Sequence, residues 1–208
     1  MPQSSPFQWI TIAQRIQAIA QAGLEFCHND FDRDRYKQLR EISTEIIENH
    51  TKYSKQEIIE LFATETGYPT PKVDVRAVIF RENKILMVRE KLDGKWSLPG
   101  GWADQHLTLS GNLVKESFEE AGAVVEPGKV IAILDRNRGN YPPIPHGCYK
   151  IFVECKLKEV VFTDNTETSD AGFFSPDSLP ELSTERITQE QIKMCFEARR
   201  EDWKVVYD

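Results

Sequence analysis

Between Trp96 and Ala123 the sequence reads WSLPGGWADQHLTLSGNLVKESFEEAGA, a paired-glycine bend followed by a short helical stretch that stops at Gly122. No other segment restricts the fold so tightly. Any packing of this chain has to bring a Gly-Gly bend close to a helix that carries Glu116, Glu119 and Glu120. Spaced i, i+3 and i+4, the three carboxylates share one helical face, where like charges repel by about 0.2–0.5 kcal/mol per pair. A cation would offset that repulsion. Closely placed hard oxygen ligands suit Mg²⁺ or Mn²⁺, ions that also hold substrate phosphates. The competing reading is a solvated charged face, with Lys115 paired to Glu119. Pro99-Gly100-Gly101 weighs against it, because glycine lets the backbone approach a ligand closely and aim a carbonyl at it. The apolar side of the helix is expected to be Leu113, Val114, Ser117 and Ala121. Lys115, Glu116, Glu119 and Glu120 are expected on the opposite side.

Two textures divide the chain. Residues 1 to about 66 read as helical. Trp9, Ile10, Ile12, Ala13, Ile16, Ile19 and Ala20 form a helical stripe that Gly23 would end or interrupt. A second helix is expected from about Asp32 to His50, with Tyr36, Leu39, Ile42, Ile46 and Ile47 on one face. Ser54 and Glu57 make a capping box for a third, whose apolar face would be Ile58, Ile59, Leu61 and Phe62 and whose stop would be Gly67. Pro69 and Pro71 mark a linker. Strands then follow: Val73–Ile79, a turn at Asn83-Lys84 into Ile85–Val88, and Trp96–Leu98 after an Asp93-Gly94 turn. Further strands are expected at Val130–Asp135, Tyr149–Leu157 and Ala171–Phe174, with a last helix from Thr188 to about Arg199. This order predicts a helical domain over 1–68 and a mixed α+β domain over 69–208.

With 40% hydrophobic residues among 208, the chain can bury a core. A net charge of -7 argues against a dedicated nucleic-acid binder, which normally presents a basic surface. No apolar run approaches the roughly 20 residues of a membrane span, and MPQSSPFQWI has no secretory pattern. Cys27, Cys148, Cys155 and Cys195 are scattered, with no CxxC pair, and read as reduced thiols of a cytoplasmic protein.

These residues resemble a known family. The stretch from Gly101 is similar to the Nudix box, Gly-x5-Glu-x7-Arg-Glu-U-x-Glu-Glu-x-Gly-U, where U is a bulky apolar residue. Lys115 to Ala123 fall on its second half, and all three of its glutamates are present. Lys115 stands in place of arginine, which keeps the charge and loses the planar fork. Leu107 replaces the first glutamate, and Gly111 sits where another is common, which halves a capping box begun by Thr108; Asp104 is a candidate to brace the loop instead. Val73–Phe80, Asp93–Trp96, Gly101–Asp104 and Leu179–Ser183 resemble one subgroup, with an N-terminal helical domain, that includes CDP-choline and ADP-ribose pyrophosphatases.

The resemblance implies a Nudix α/β/α sandwich with a mixed sheet, a homodimer, and Mg²⁺- or Mn²⁺-dependent hydrolysis of a nucleoside diphosphate linked to X. It implies Glu116 and Glu120 as leading metal ligands, Glu119 as a ligand or proton acceptor, and the Gly100 carbonyl as a further ligand. Relatives place a general base on a later loop, for which Glu167 is the candidate against the reading of a solvated acid. Arg76 and Arg89 are candidates for phosphate, with a structural or surface ion pair as the equal alternative for each, and Arg186 is a lesser candidate. Trp102 and Tyr149 are candidates to stack on the base or contact X, although large aromatics also pack into cores. The Tyr141–Pro145 loop with His146 is a candidate wall for the entry of X, and Asp135, Arg136 and Arg138 for phosphate. The alternative function is a Nudix-like module that senses a nucleotide without cleaving it.

Overall fold

The computed structural model describes residues 6–138, 141–142 and 144–208. The chain forms two compact units. One takes the residues up to Pro71 together with Pro142–Gly147; the other takes Lys72–Tyr141 and Cys148–Asp208.

The first unit is helical. Helix α1 (Pro6–Phe26) continues past Gly23, where the Tyr36 ring occupies the space a Cβ would need, at 2.3 Å. Helix α2 (Asp30–His50) opens on Asn29, whose side chain accepts from the amides of Phe31 and Asp32. The two helices are joined by Ile10, Ala13 and Ile47, and the Ser43 hydroxyl donates to the Ala13 carbonyl at 2.8 Å. Ile19 and Ile42, expected on apolar faces, are exposed. Helix α3 (Lys55–Ile58) starts with the expected Ser54–Glu57 capping box. It then widens over Ile59–Ala63 into a π-turn, in which the Thr64 amide reaches back five residues to the Ile59 carbonyl at 3.1 Å. The helix thus stops short of Gly67, and Leu61 faces outward; the Phe62 side chain lies outside the described residues. Gln14 Nε2 donates to the Ile144 carbonyl, tying the Pro142–Gly147 segment into this unit.

The second unit is a mixed sheet between two helical layers. Strands β1 (Lys72–Arg81), β2 (Lys84–Glu90), β3 (Trp96–Ser97), β4 (Ala123–Asp135), β5 (Cys148–Val160), β6 (Thr168–Phe174) and β7 (Val206–Tyr207) take the order β3-β2-β1-β5-β4-β7, with β6 on β2. β1 and β5 are parallel, and β4 and β5 antiparallel. Alternation along β1 sends Val75, Ala77 and Ile79 to one face, where they pack with Leu113 and Ala121 of helix α4 (Leu109–Ala121). Val78 faces the other way, toward Ile192 and Cys195 of helix α5 (Gln189–Glu197). The turn between β1 and β2 is Glu82-Asn83, one residue earlier than expected, with Glu82 at φ 56.

β1 and β2 pair only beside this turn, at Phe80↔Ile85 and Arg81↔Lys84. Their divergence is what positions the site. The edge of β1 that β2 abandons is taken by the Gly-Gly segment: the amides of Ala77 and Val75 donate to the carbonyls of Pro99 and Gly101, and that of Ala103 to Val73. The bend is therefore held in the sheet plane, beside α4. All four cysteines are free thiols. Among the described residues no helix is long and apolar enough to cross a membrane.

Candidate active site

Helix α4 begins at Thr108, whose hydroxyl accepts from the Gly111 amide at 3.0 Å. The reciprocal half of the capping box is absent, as Gly111 has no side chain. The loop is braced by a residue the sequence reading passed over. Asn112, buried, accepts from the Asp104 amide at 2.7 Å and donates to the carbonyls of Asp104 and Thr108. Asp104 also faces Lys115 at 3.4 Å. An asparagine in the first turn beside a threonine cap was the available signal, since asparagine favours backbone-bonding positions over helix interiors.

The expected division of α4 into an apolar and an acidic side needs correction. Its buried face is Asn112, Leu113, Glu116, Ser117, Glu120 and Ala121, while Val114 is exposed. Two of the three glutamates thus point inward, beneath the glycine bend. Glu120 is 4% exposed and accepts from the Gly100 amide at 2.8 Å. A Cβ on Gly101 would stand 3.3 Å from Glu116 Oε2, so this carboxylate lies against the bend. Gly100 has φ +135, and a Cβ there would fall 2.0 Å from the Val75 carbonyl oxygen; only glycine permits this approach. Glu119 faces outward and pairs with Lys115 at 2.8 Å, and Lys115 also reaches Glu116 at 3.3 Å.

Burial pushes the Glu116 carboxyl up. It pushes Glu120 up to about 8, although Arg76 and the Gly100 amide favour its charge. Buried carboxylates with so little compensation, an all-oxygen donor set and an adjacent glycine carbonyl fit a hard divalent ion. Among the described residues no three His, Cys, Asp or Glu side chains already converge as an ion cage. The Ser117 hydroxyl, fully buried, has no hydrogen-bond partner.

Arg76 is buried and already engaged. It donates from Nε and Nη2 to Asp74 at 2.8 and 2.9 Å, and from Nη1 to the Leu98 carbonyl at 3.0 Å. Burial disfavours its charge, but Asp74 more than compensates and raises its pKa. Lys150, also buried, shares Asp74 at 3.1 Å. Arg76 thereby grips the backbone just before Pro99. Arg89 is exposed, and its Nε donates to the Gly94 carbonyl. Arg186 pairs with the buried Glu90 at 3.2 Å. Tyr149 pairs with Val73, and Trp102 bridges Asp74, the next residue of β1. Adjacent strand positions face opposite ways, so the two half-exposed aromatics do not sandwich a single base.

Glu167 is brought to the glutamates. With Asn165 and Thr166 it lines a cavity of about 330 Å³ whose other wall is Glu119 and Glu120. The Tyr141–Pro145 loop is taken up in packing. Tyr141 is buried in the second unit, where its hydroxyl donates to Gln191, and Ile144 and Pro145 are buried in the first; Pro143 lies outside the described residues. Arg136 is buried and donates to the Glu185 carbonyl, while Arg138 pairs with Asp135 at the surface.

Residues 70–194 match the family described as the NUDIX domain. This chain belongs to the Nudix family of hydrolases. Residues 7–62 match a second family, described as a UDP-X-like N-terminal oligomerisation domain. The chain is 44% identical over 202 residues, 97% of each sequence, to a Bacillus subtilis (strain 168) protein named "Putative ADP-ribose pyrophosphatase YjhB". Among solved structures it is similar to a UDP-X diphosphatase, at 32% identity and TM-score 0.62 over 99% of this chain and 100% of that one. An ADP-ribose pyrophosphatase of Streptococcus suis 89-1591 is 48% identical with TM-score 0.62, covering 67% of this Nudix chain and all of its own. The α/β/α sandwich and the preceding helical region are as the sequence implied.

Proposed function

We propose that this Nudix hydrolase splits the diphosphate of a nucleoside diphosphate linked to X, with ADP-ribose and UDP-X substrates as the leading class and CDP-choline as a further candidate. The products are a nucleoside monophosphate and phospho-X. The observation that carries this reading is the pair of buried carboxylates, Glu116 and Glu120, set directly behind the Gly100-Gly101 bend, with Glu167 across the cavity.

Glu116, Glu119, Glu120 and the Gly100 carbonyl would hold Mg²⁺ or Mn²⁺. When bound, the ion supplies neutralisation of phosphate charge and acidifies water. The chain's own groups do the rest. The Arg76–Leu98 contact and the β1 pairing keep the Gly100 carbonyl from drifting. Glu167 takes a proton from the attacking water, whose oxygen bonds to phosphorus as the bridging P–O bond breaks. Arg89 is the candidate left with donors turned to solvent for a phosphate; Trp102 or Tyr149, one and not both, stacks on the base. The helical unit pairs two copies as a homodimer, and the four free thiols suit a cytoplasmic setting.

The test is a panel of ADP-ribose, UDP-sugars, CDP-choline, dinucleoside polyphosphates and short RNA, each with Mg²⁺ and with Mn²⁺, and product identification. Metal-dependent release of a nucleoside monophosphate from at least one diphosphate is expected. Tight nucleotide binding with no turnover of any member would point to a sensor instead.

A further inference from the structure

The end of α4 leaves backbone carbonyls without helical partners. The Gly122 amide closes back on Phe118, and the chain then leaves as β4. The orphan carbonyl of Glu120 is satisfied from outside the helix. The fully buried Thr168 hydroxyl donates to it at 2.6 Å, and Asn165 Nδ2 approaches it at 3.4 Å. The same two residues hold Glu167. Asn165 Oδ1 accepts from the amides of Glu167 at 3.0 Å and Thr168 at 2.8 Å, and Asn165 Nδ2 donates to the Thr168 hydroxyl at 2.7 Å. On its other side the Glu167 carbonyl accepts from the Lys91 amide at 2.8 Å, and Lys91 Nζ donates to the Asn165 carbonyl and pairs with Asp164. Both backbone groups of Glu167 are therefore fixed while its side chain stays exposed at the cavity. A merely solvated loop acid has no need of such support.

We infer that Asn165 and Thr168 are positioning residues that latch the Glu167 loop to the backbone of Glu120, so that the proton acceptor and the ion-binding helix keep one spacing. This rests on the proposed role of Glu167. The latch acts on a distance between two functional groups, and small displacements of such groups are costly to rate.

The experiment is a double-mutant cycle on the full chain with the panel's best substrate and saturating Mn²⁺. Glu167→Gln is expected to lower kcat on the order of 100-fold, the ordinary worth of a general base. Thr168→Val, which keeps shape and loses the donor, is expected to lower kcat about 10-fold with KM and Mn²⁺ affinity within about twofold. Thr168→Ser is expected to restore the wild-type rate. In the Glu167→Gln background, Thr168→Val is expected to cost less than about twofold, because the two act as a unit. Full additivity, or an undiminished rate in Thr168→Val, would overturn the latch while leaving Glu167 in place. A wild-type rate for Glu167→Gln would overturn the role of Glu167 itself, and the latch with it. Asn165→Asp keeps the acceptor and removes the donors; it carries the same cycle if Thr168→Val does not fold.

Discussion

In the proposed ion site Glu120 would meet two opposed requirements: burial, to face the glycine bend, and charge, to hold an ion. Burial raises its carboxyl to about 8 from an ordinary 4.5; Arg76 and the Gly100 amide oppose the rise, and Glu90 and Glu116 add to it. Without a divalent ion the folded chain then binds more protons than the unfolded chain between those two values. The contribution of Glu120 to stability is full below 4.5 and is lost as pH rises through about 8. Glu120→Gln has no such slope. In chelator, the melting temperature of the parent is expected to fall relative to that of the variant between about pH 5 and pH 8, and saturating Mn²⁺ should close the gap. The variant should also lose turnover by on the order of 100-fold or more. Parallel melting curves across that window would show that Glu120 is not the strained group. Sequence spacing identified these glutamates but placed all three opposite the apolar side of α4. Which of them are buried depends on how α4 is rotated about Leu113 and Ala121 against β1, a long-range contact with no local signature. Arg76 is a similar case: a strand arginine reads alike whether it meets a phosphate or, as here, Asp74 and the Leu98 carbonyl.

At the scale of elements, the passage from α4 to β4 leaves no room for a side chain. Gly122 takes φ +61, and a Cβ there would stand 2.0 Å from the Val161 carbonyl oxygen, whose own amide donates to the Gly122 carbonyl. Gly122→Ala should cost at least about 2 kcal/mol, since the left-handed conformation alone costs a non-glycine residue about 1–2 kcal/mol. Urea unfolding of the chelated protein measures it; a loss below about 0.5 kcal/mol, the level of an ordinary surface change, would mean that the junction relaxes freely. That Gly122 stops the helix was legible, and so was Thr188 as the start of α5. The start of β4 was not. Glu126-Pro127-Gly128 reads as a break, yet the strand runs through it: Pro127 pairs with Cys155, and a register shift before Val130 absorbs the residues that do not fit the ladder. Proline tolerated at a bulge is a tertiary outcome. The same holds for β7, two residues added to the edge of β4 at Ala132↔Val206 and Ile133↔Tyr207.

For the whole molecule, the decisive feature is apolar surface on the helical unit. Its described core cluster is small, Ile10, Ala13, Ile47 and Ile58 with Ile46 and Tyr53 against them, while Ile19 and Phe26 on α1 and Phe31 and Ile42 on α2 are 57%, 63%, 77% and 46% exposed. Ile19 and Phe26 are seven residues apart and Phe31 and Ile42 eleven, so each pair shares a face of its helix. A unit this small gains most from burying such faces on a second copy. Sedimentation of the full chain at micromolar concentration should therefore give a dimer. The double substitution Ile19→Glu with Ile42→Glu should give a monomer with unchanged far-ultraviolet circular dichroism and a lower, concentration-independent melting temperature. Every group assigned to the chemistry lies between Arg76 and Thr168 of one chain, within the second compact unit. Turnover per chain in the monomeric variant should accordingly stay within about twofold of the parent. A collapse of kcat on monomerisation, with the fold intact, would mean instead that a second copy completes the site.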